Sequence, residues 1–288
     1  MRYANRVNKS KLTYAFLLAG ATFTCGIAAG YSQSQPPQPS QSAGPPPTGK
    51  QYEDCLALTR TDPRRAYDEA TAWRELGGSF PADHCAAVAL VALKRYPEAA
   101  KKLQDLAGAM MRADPLLRAG ALAQAGNAWL LAGKAQDAKA DFDAALSFKP
   151  NDPEILIDRA EASAAEGKFF DSVDDLNRTL DIAPNRVDAL IYRASAYRQL
   201  DSLDLALDDA EHALTIEPNA VAGLLERGNI RRLKGDADGA RADWERIEQL
   251  APGSEEASAA EKNLAGLDEK GSASGNAVAT TPSGTAKP

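Results

Sequence analysis

Few side chains in this sequence can do covalent chemistry, and their spacing narrows the options further. There are three cysteines, Cys25, Cys55 and Cys85, and two histidines, His84 and His212. The histidines lie far apart in the chain, which removes most zinc sites and most histidine-based catalysis. The run Asp83, His84, Cys85 puts a thiol beside a base, the pairing that a nucleophile or a metal would use. Adjacent residues on a helix point in different directions, so a structural cysteine takes precedence over a nucleophile here. The acidic run "DLALDDAEH" at 204–212 has enough carboxylates for a cation. They alternate with apolar positions, so a solvated helix face accounts for them as well. No phosphate loop, dinucleotide fingerprint or nucleophile elbow is present. The sequence therefore predicts no catalytic residue, no cofactor and no metal.

One charged pattern remains. Arg159, Arg193 and Arg227 recur at a spacing of 34, and so do Asp141, Asp175, Asp209 and Asp243. A regular ladder of charge can select a partner. It can equally tie helices to one another, and this second reading takes precedence because repeated units recreate the same geometry each time. Whether Asp175 meets Arg159 or Arg193 stays open at this stage.

The elements that must position these side chains are announced by proline. Pro150, Pro184, Pro218 and Pro252 are each 34 residues from the next, in "LSFKPND", "LDIAPNR", "LTIEPNA" and "RIEQLAPG". A fixed period of this length is the signature of a stacked-repeat architecture. The units are 119–152, 153–186, 187–220 and 221–254, aligned without gaps. Their eighth residue is Gly126, Ala160, Ala194 or Gly228 and their twentieth Ala138, Ser172, Ala206 or Ala240. Small residues at two fixed points let two antiparallel helices approach closely. Gly133, Gly167 and Gly235, with Asp201 as the substitute, supply a left-handed turn in mid-unit. Proline ends the second helix, and Asp152, Asn185 and Asn219 are expected to cap the next one, with Pro153 at a first helical position. Each unit is thus a helix A, a turn and a helix B, whose apolar face only a neighbouring unit can cover.

These residues resemble the tetratricopeptide repeat. The unit from Ala119 matches its pattern at Leu122, Gly126, Trp129, Ala138, Phe142, Ala145 and Pro150. The unit from Val187 matches at Leu190, Ala194, Tyr197, Ala206, Ala213 and Pro218 but has Ala210 where a bulky residue is usual. Ser163 and Arg231 replace the aromatic in the other two. The resemblance implies an all-α fold, a right-handed superhelical solenoid of antiparallel helix pairs. Four units occupy 119–252, degenerate hairpins 51–118 and a polar capping helix 253–268. The polar cap argues against open-ended stacking and for a monomer.

The ends differ in composition. Arg2, Arg6, Lys9 and Lys11 precede an apolar, acid-free stretch, so 1–30 reads as a signal peptide with Ala28 and Gly30 at its small-residue cleavage positions. The alternative is an uncleaved membrane anchor. Residues 31–50 form a Pro/Gln/Ser-rich linker and 269–288 a disordered tail. Export places the chain in the periplasm of a Gram-negative host, or on its inner membrane if the anchor is kept. Loss of those four positive charges takes the formal net charge from -7 to -11, which disfavours nucleic acid as a partner. It also leaves an even number of cysteines, Cys55 and Cys85, on A helices of successive hairpins, and an exported chain would join them in a disulfide.

The resemblance also implies a partner. Family geometry turns positions 2, 5, 9 and 12 of helix A into a groove that takes a protein or peptide segment. Those carrying chemistry or apolar bulk are Asn127, Leu130, Glu154, Ile157, Glu161, Asp188, Ile191, Ser195, Arg198, Leu225, Asn229 and Arg232. Their charge runs from acidic in the second unit to basic in the fourth. The reading is a non-enzymatic scaffold. Its alternatives are a self-associating envelope component and an accessory subunit of an enzyme.

Overall fold

The computed structural model describes residues 49–110 and 114–278, with side chains as far as residue 267. The expected signal segment 1–30 and all but the last two residues of the linker lie outside the described residues. Gly49 and Lys50, expected to end the linker, instead open the first helix. Among the described residues there are thirteen helices and no strand, in two compact units that divide after Pro150. No described helix is long and apolar enough to cross a membrane.

The first unit holds α1 (Gly49–Thr61), α2 (Pro63–Glu75), α3 (Ser79–Ala92), α4 (Tyr96–Ala109), α5 (Pro115–Leu131) and α6 (Ala135–Phe148). The second holds α7 (Pro153–Ala165), α8 (Phe169–Ile182), α9 (Val187–Gln199), α10 (Leu203–Ile216), α11 (Val221–Leu233), α12 (Ala237–Leu250) and α13 (Glu255–Val278). Within each unit, consecutive helices pack antiparallel on one another, and α13 stands as a lone A helix against α12 and α11. It runs past the expected 253–268 cap into the segment read as tail, as far as Val278, in spite of Gly271 and Gly275, and the remainder of that tail, 279–288, lies outside the described residues.

The mid-unit turn has the same build in every regular pair. The residue at its centre takes a positive φ: +73° at Gly133, +76° at Gly167, +86° at Gly235, and +57° at Asp201. The next amide then reaches back to close the helix, as Lys134 N to Trp129 O and Ser202 N to Tyr197 O, each 2.9 Å. The α3–α4 turn uses Lys94 at φ 60° in the same place.

The seams after proline differ from expectation in part. Asp152 does cap α7, accepting from the amides of Glu154 and Ile155. Asn185 and Asn219 cap nothing, because α9 and α11 have Arg186 and Ala220 at the capping position, one residue later. From one residue further out the amide oxygen of Asn219 accepts instead from Arg246 of helix B at 3.2 Å.

Helix contact within a pair is set by matched sizes. A Cβ at Gly126 would lie 2.5 Å from the Phe142 ring, and one at Gly228 2.5 Å from Nε1 of Trp244. In the pairs with alanine at that position the facing residue is smaller, Leu176 against Ala160 and Ala210 against Ala194. The departure at Ala210 is made good by Ile230 of α11, fully buried beside it. Gly228→Ala is therefore expected to cost about 2 kcal/mol by overpacking. Urea denaturation checks it, and Trp244→Leu in the same chain should recover part of the loss.

Candidate functional site

The charged ladder resolves to pairs within a hairpin. Arg159 donates to both oxygens of Asp175 at 2.7 and 2.5 Å, Arg193 to Asp209 at 2.7 and 2.7 Å, and Arg227 to Asp243 at 3.0 and 2.6 Å. The three carboxylates are buried, so these bidentate bonds replace their water. The ladder is a tie between helix A and helix B and presents no charge to a partner. At Asp141 the arginine position is occupied by Ala125. Gln104 of α4 takes over, donating to both oxygens at 2.9 Å. An amide neutralises no charge, and burial pushes the Asp141 carboxyl up to about 6.

The A-helix face of the second unit is built from α7, α9 and α11 with α13 at its end. Of the positions named for a groove, Ile157 is fully buried and Ile191 nearly so. Both belong to the core with Leu176, Leu180, Leu190 and Ala213. They are packing residues, because their side chains fill the seam among α7, α8, α9 and α10. Glu161 and Ser195 are also buried. Glu154 and Asp188 are joined through Arg186, whose guanidinium reaches them at 2.5 and 2.7 Å. The acidic start of the expected charge gradient is thereby offset by a seam arginine.

What stays accessible lies toward α11. Arg198 of α9 grips Glu226 of α11 at 2.5 and 3.3 Å and reaches Ser195 Oγ at 3.4 Å. Asn229 accepts from Asn263 of α13 at 2.9 Å. Leu225 and Asn229 are half-exposed and Arg232 is exposed. Position 6 was missed by the family-based choice, and it carries Gln124, Asp158, Tyr192 and Glu226. A non-apolar or hydroxyl-bearing side chain at one register position in four successive units was the signal that could have found it.

In the first unit Asn127 and Leu130, also expected in a groove, are buried on α5. The A helices there share a different network. Tyr52 of α1 lies 2.7 Å from His84 Nδ1, and His84 Nε2 lies 2.8 Å from the Gln124 Oε1 of α5. The amide oxygen accepts, so Nε2 carries the proton and the tyrosine hydroxyl donates to Nδ1. Burial pushes the imidazole down to about 4. One residue on, Cys85 is joined to Cys55 in a disulfide between α3 and α1, with Cα atoms 6.3 Å apart. The expected pairing is present, and the alternative of a Cys85 nucleophile has no thiol left to act. Among the described residues no group of three or more His, Cys, Asp or Glu is placed to hold a metal.

No family model matches this sequence, and neither does any curated protein. Solved structures do match. MamA 41-end from Desulfovibrio magneticus RS-1 is 19% identical, with a TM-score of 0.52 over 65% of this chain and 98% of that one. TTC0263, a thermophilic TPR protein of Thermus thermophilus, is also 19% identical, with a TM-score of 0.51 over 63% and 94% of the two chains. At such identity the likeness is one of fold.

Proposed function

We propose that this chain, which carries the tetratricopeptide-repeat fold, is a non-enzymatic adaptor that binds a peptide or helix of another protein on the A-helix face of its second unit. The observation that carries the reading is the cross-helix set Arg198, Glu226 and Asn229 beside Leu225 and Arg232. It gives a half-exposed apolar anchor flanked by polar groups already fixed by their neighbours. Prefixed polar groups lose little entropy on binding, so they suit selection of an extended segment. Of the three apolar positions expected to anchor a partner, Ile157, Ile191 and Leu225, the first two are in the core and Leu225 stays partly exposed.

The second part of the reading is export, with an envelope protein as the partner. The Cys55–Cys85 disulfide supports it, because such bonds persist in oxidising compartments. The basic-then-apolar start of the sequence supports it too.

The test is photo-crosslinking in the cell from Asn229 and Arg232, with the exposed helix-B residue Asp208 as the control. One dominant adduct from the first two positions, absent at Asp208, is the expected result. Leu225→Asp with Arg232→Glu should reduce it at least about tenfold, a loss of roughly 1.4 kcal/mol. Equal capture at all three positions would remove the reading.

A further inference from the structure

The second unit carries another surface, at the ends of its A helices rather than along their face. Antiparallel pairs bring the three mid-unit turns, centred on Gly167, Asp201 and Gly235, to one edge of the stack. On that edge Phe170 in the first turn of α8 is 72% exposed, Leu205 in the first turn of α10 51%, and Leu233 at the end of α11 47%. An ion pair between Lys234 and Asp204 ties the turn that follows Leu233 to the helix start that holds Leu205.

Charge on the same edge leans acidic, although Arg232 stands exposed beside Leu233. Lys168 and Lys234 lie in ion pairs with Glu166 and Asp204. Asp171, Asp201 and Asp238 stand exposed there. Acids in the first turn of a helix stabilise its dipole, which accounts for Asp171 and Asp238 without any ligand. Dipoles give no reason for a phenylalanine and two leucines left in water at three neighbouring turns.

We infer that this edge docks a cationic amphipathic segment of another protein. Its apolar side chains cover Phe170, Leu205 and Leu233, and its lysines or arginines meet Asp171, Asp201 and Asp238. The charge selects this occupant over the others. Anionic lipid and nucleic acid are repelled by an acidic rim, and a second copy of a chain with formal net charge -7 brings acid against acid. The inference stands apart from the A-helix face and does not depend on it.

The experiment titrates the full chain against a fluorescent amphipathic helix made of leucine and lysine, with its leucine and glutamate counterpart as the control. The lysine peptide should bind and the glutamate peptide should not. Phe170→Ser, Leu205→Ser and Leu233→Ser together should weaken binding at least about tenfold. So should Asp171→Asn, Asp201→Asn and Asp238→Asn together, with an unchanged circular dichroism spectrum in both variants. Leu225→Ser, which carries no charge and lies two turns away on α11, should leave this affinity as it is, which separates failure here from failure of the A-helix reading. Unchanged affinity in either triple variant would overturn the inference, as would a wild-type chain that ignores the lysine peptide. A wild-type dimer that the apolar variant dissolves would overturn it in favour of a second copy.

Discussion

Arg193→Ala will destabilise the second unit by about 3–5 kcal/mol, the cost of leaving a buried carboxylate without its cation. Asp209 is 7% exposed, and Arg193 bonds both of its oxygens, each at 2.7 Å, while also donating to Asn177 of the preceding helix at 2.8 Å. Removing the arginine leaves the buried charge without that cation. The second outcome distinguishes this cause from simple loss of packing. Arg193→Leu with Asp209→Leu removes both charges and should recover most of the loss, since a buried pair is close to neutral against apolar residues of similar size. Chemical denaturation of the two variants and the wild type measures both numbers. If the double variant is as unstable as Arg193→Ala, the packing of the guanidinium and not the orphaned charge is responsible. Arg227 is a poorer choice for the test, because Arg231 also reaches Asp243 at 3.0 Å.

The first unit should show two opposed pH dependences of about 3 kcal/mol each. In the folded chain His84 titrates at about 4, below its ordinary 6.5, so the unfolded chain takes the proton more readily. Its contribution is whole above pH 6.5 and is lost as the pH falls toward 4, about 2.5 units at 1.36 kcal/mol each. Asp141 behaves in the reverse sense. Its folded value of about 6 lies above the ordinary 3.8, so the neutral carboxyl is favoured, and stability is lost as the pH rises from about 4 to 6. In the wild type the two slopes largely cancel over that window. Asp141→Asn should therefore uncover a fall in stability on acidification relative to wild type, and His84→Gln should uncover a fall on neutralisation. Denaturation of the three proteins at pH 4, 5, 6 and 7 reads both slopes directly. Parallel curves for the wild type and both variants would mean that neither group titrates as its burial dictates.

Both predictions turn on partners that lie far apart in sequence, and this is where reading the chain as a string stops. The 34-residue period, the small residues at two fixed positions and the glycine turns are local or periodic facts. Local chain geometry and repetition determine them, so the helices, the pairing of A with B and the stacking were legible without coordinates. The disulfide was legible for the same reason, since Cys55 and Cys85 sit on successive A helices. Asp201 could be named as a stand-in for glycine because a positive φ is a property of one residue.

Three-dimensional packing decided the rest. Arg159 and Arg193 are both one repeat-related step from Asp175, and only the crossing of α7 on α8 selects Arg159. Ile157 and Ile191 occupy register positions that face a groove in the family, yet the depth at which successive pairs close on one another buries them. Capping depended on a single residue's backbone angles, which put Ala220 at the capping position of α11 and left that helix without a side-chain cap. In cross-helix bonds such as Arg198 to Glu226, 28 residues apart, the polar residue at position 6 recurs but its partner does not, so the period marks the position and not the bond. The sequence by itself determined which elements form and in what order, because those follow from period and turn chemistry. The tertiary structure alone decided which polar side chains are spent inside the stack and which remain for a partner, because that depends on how closely the helices approach.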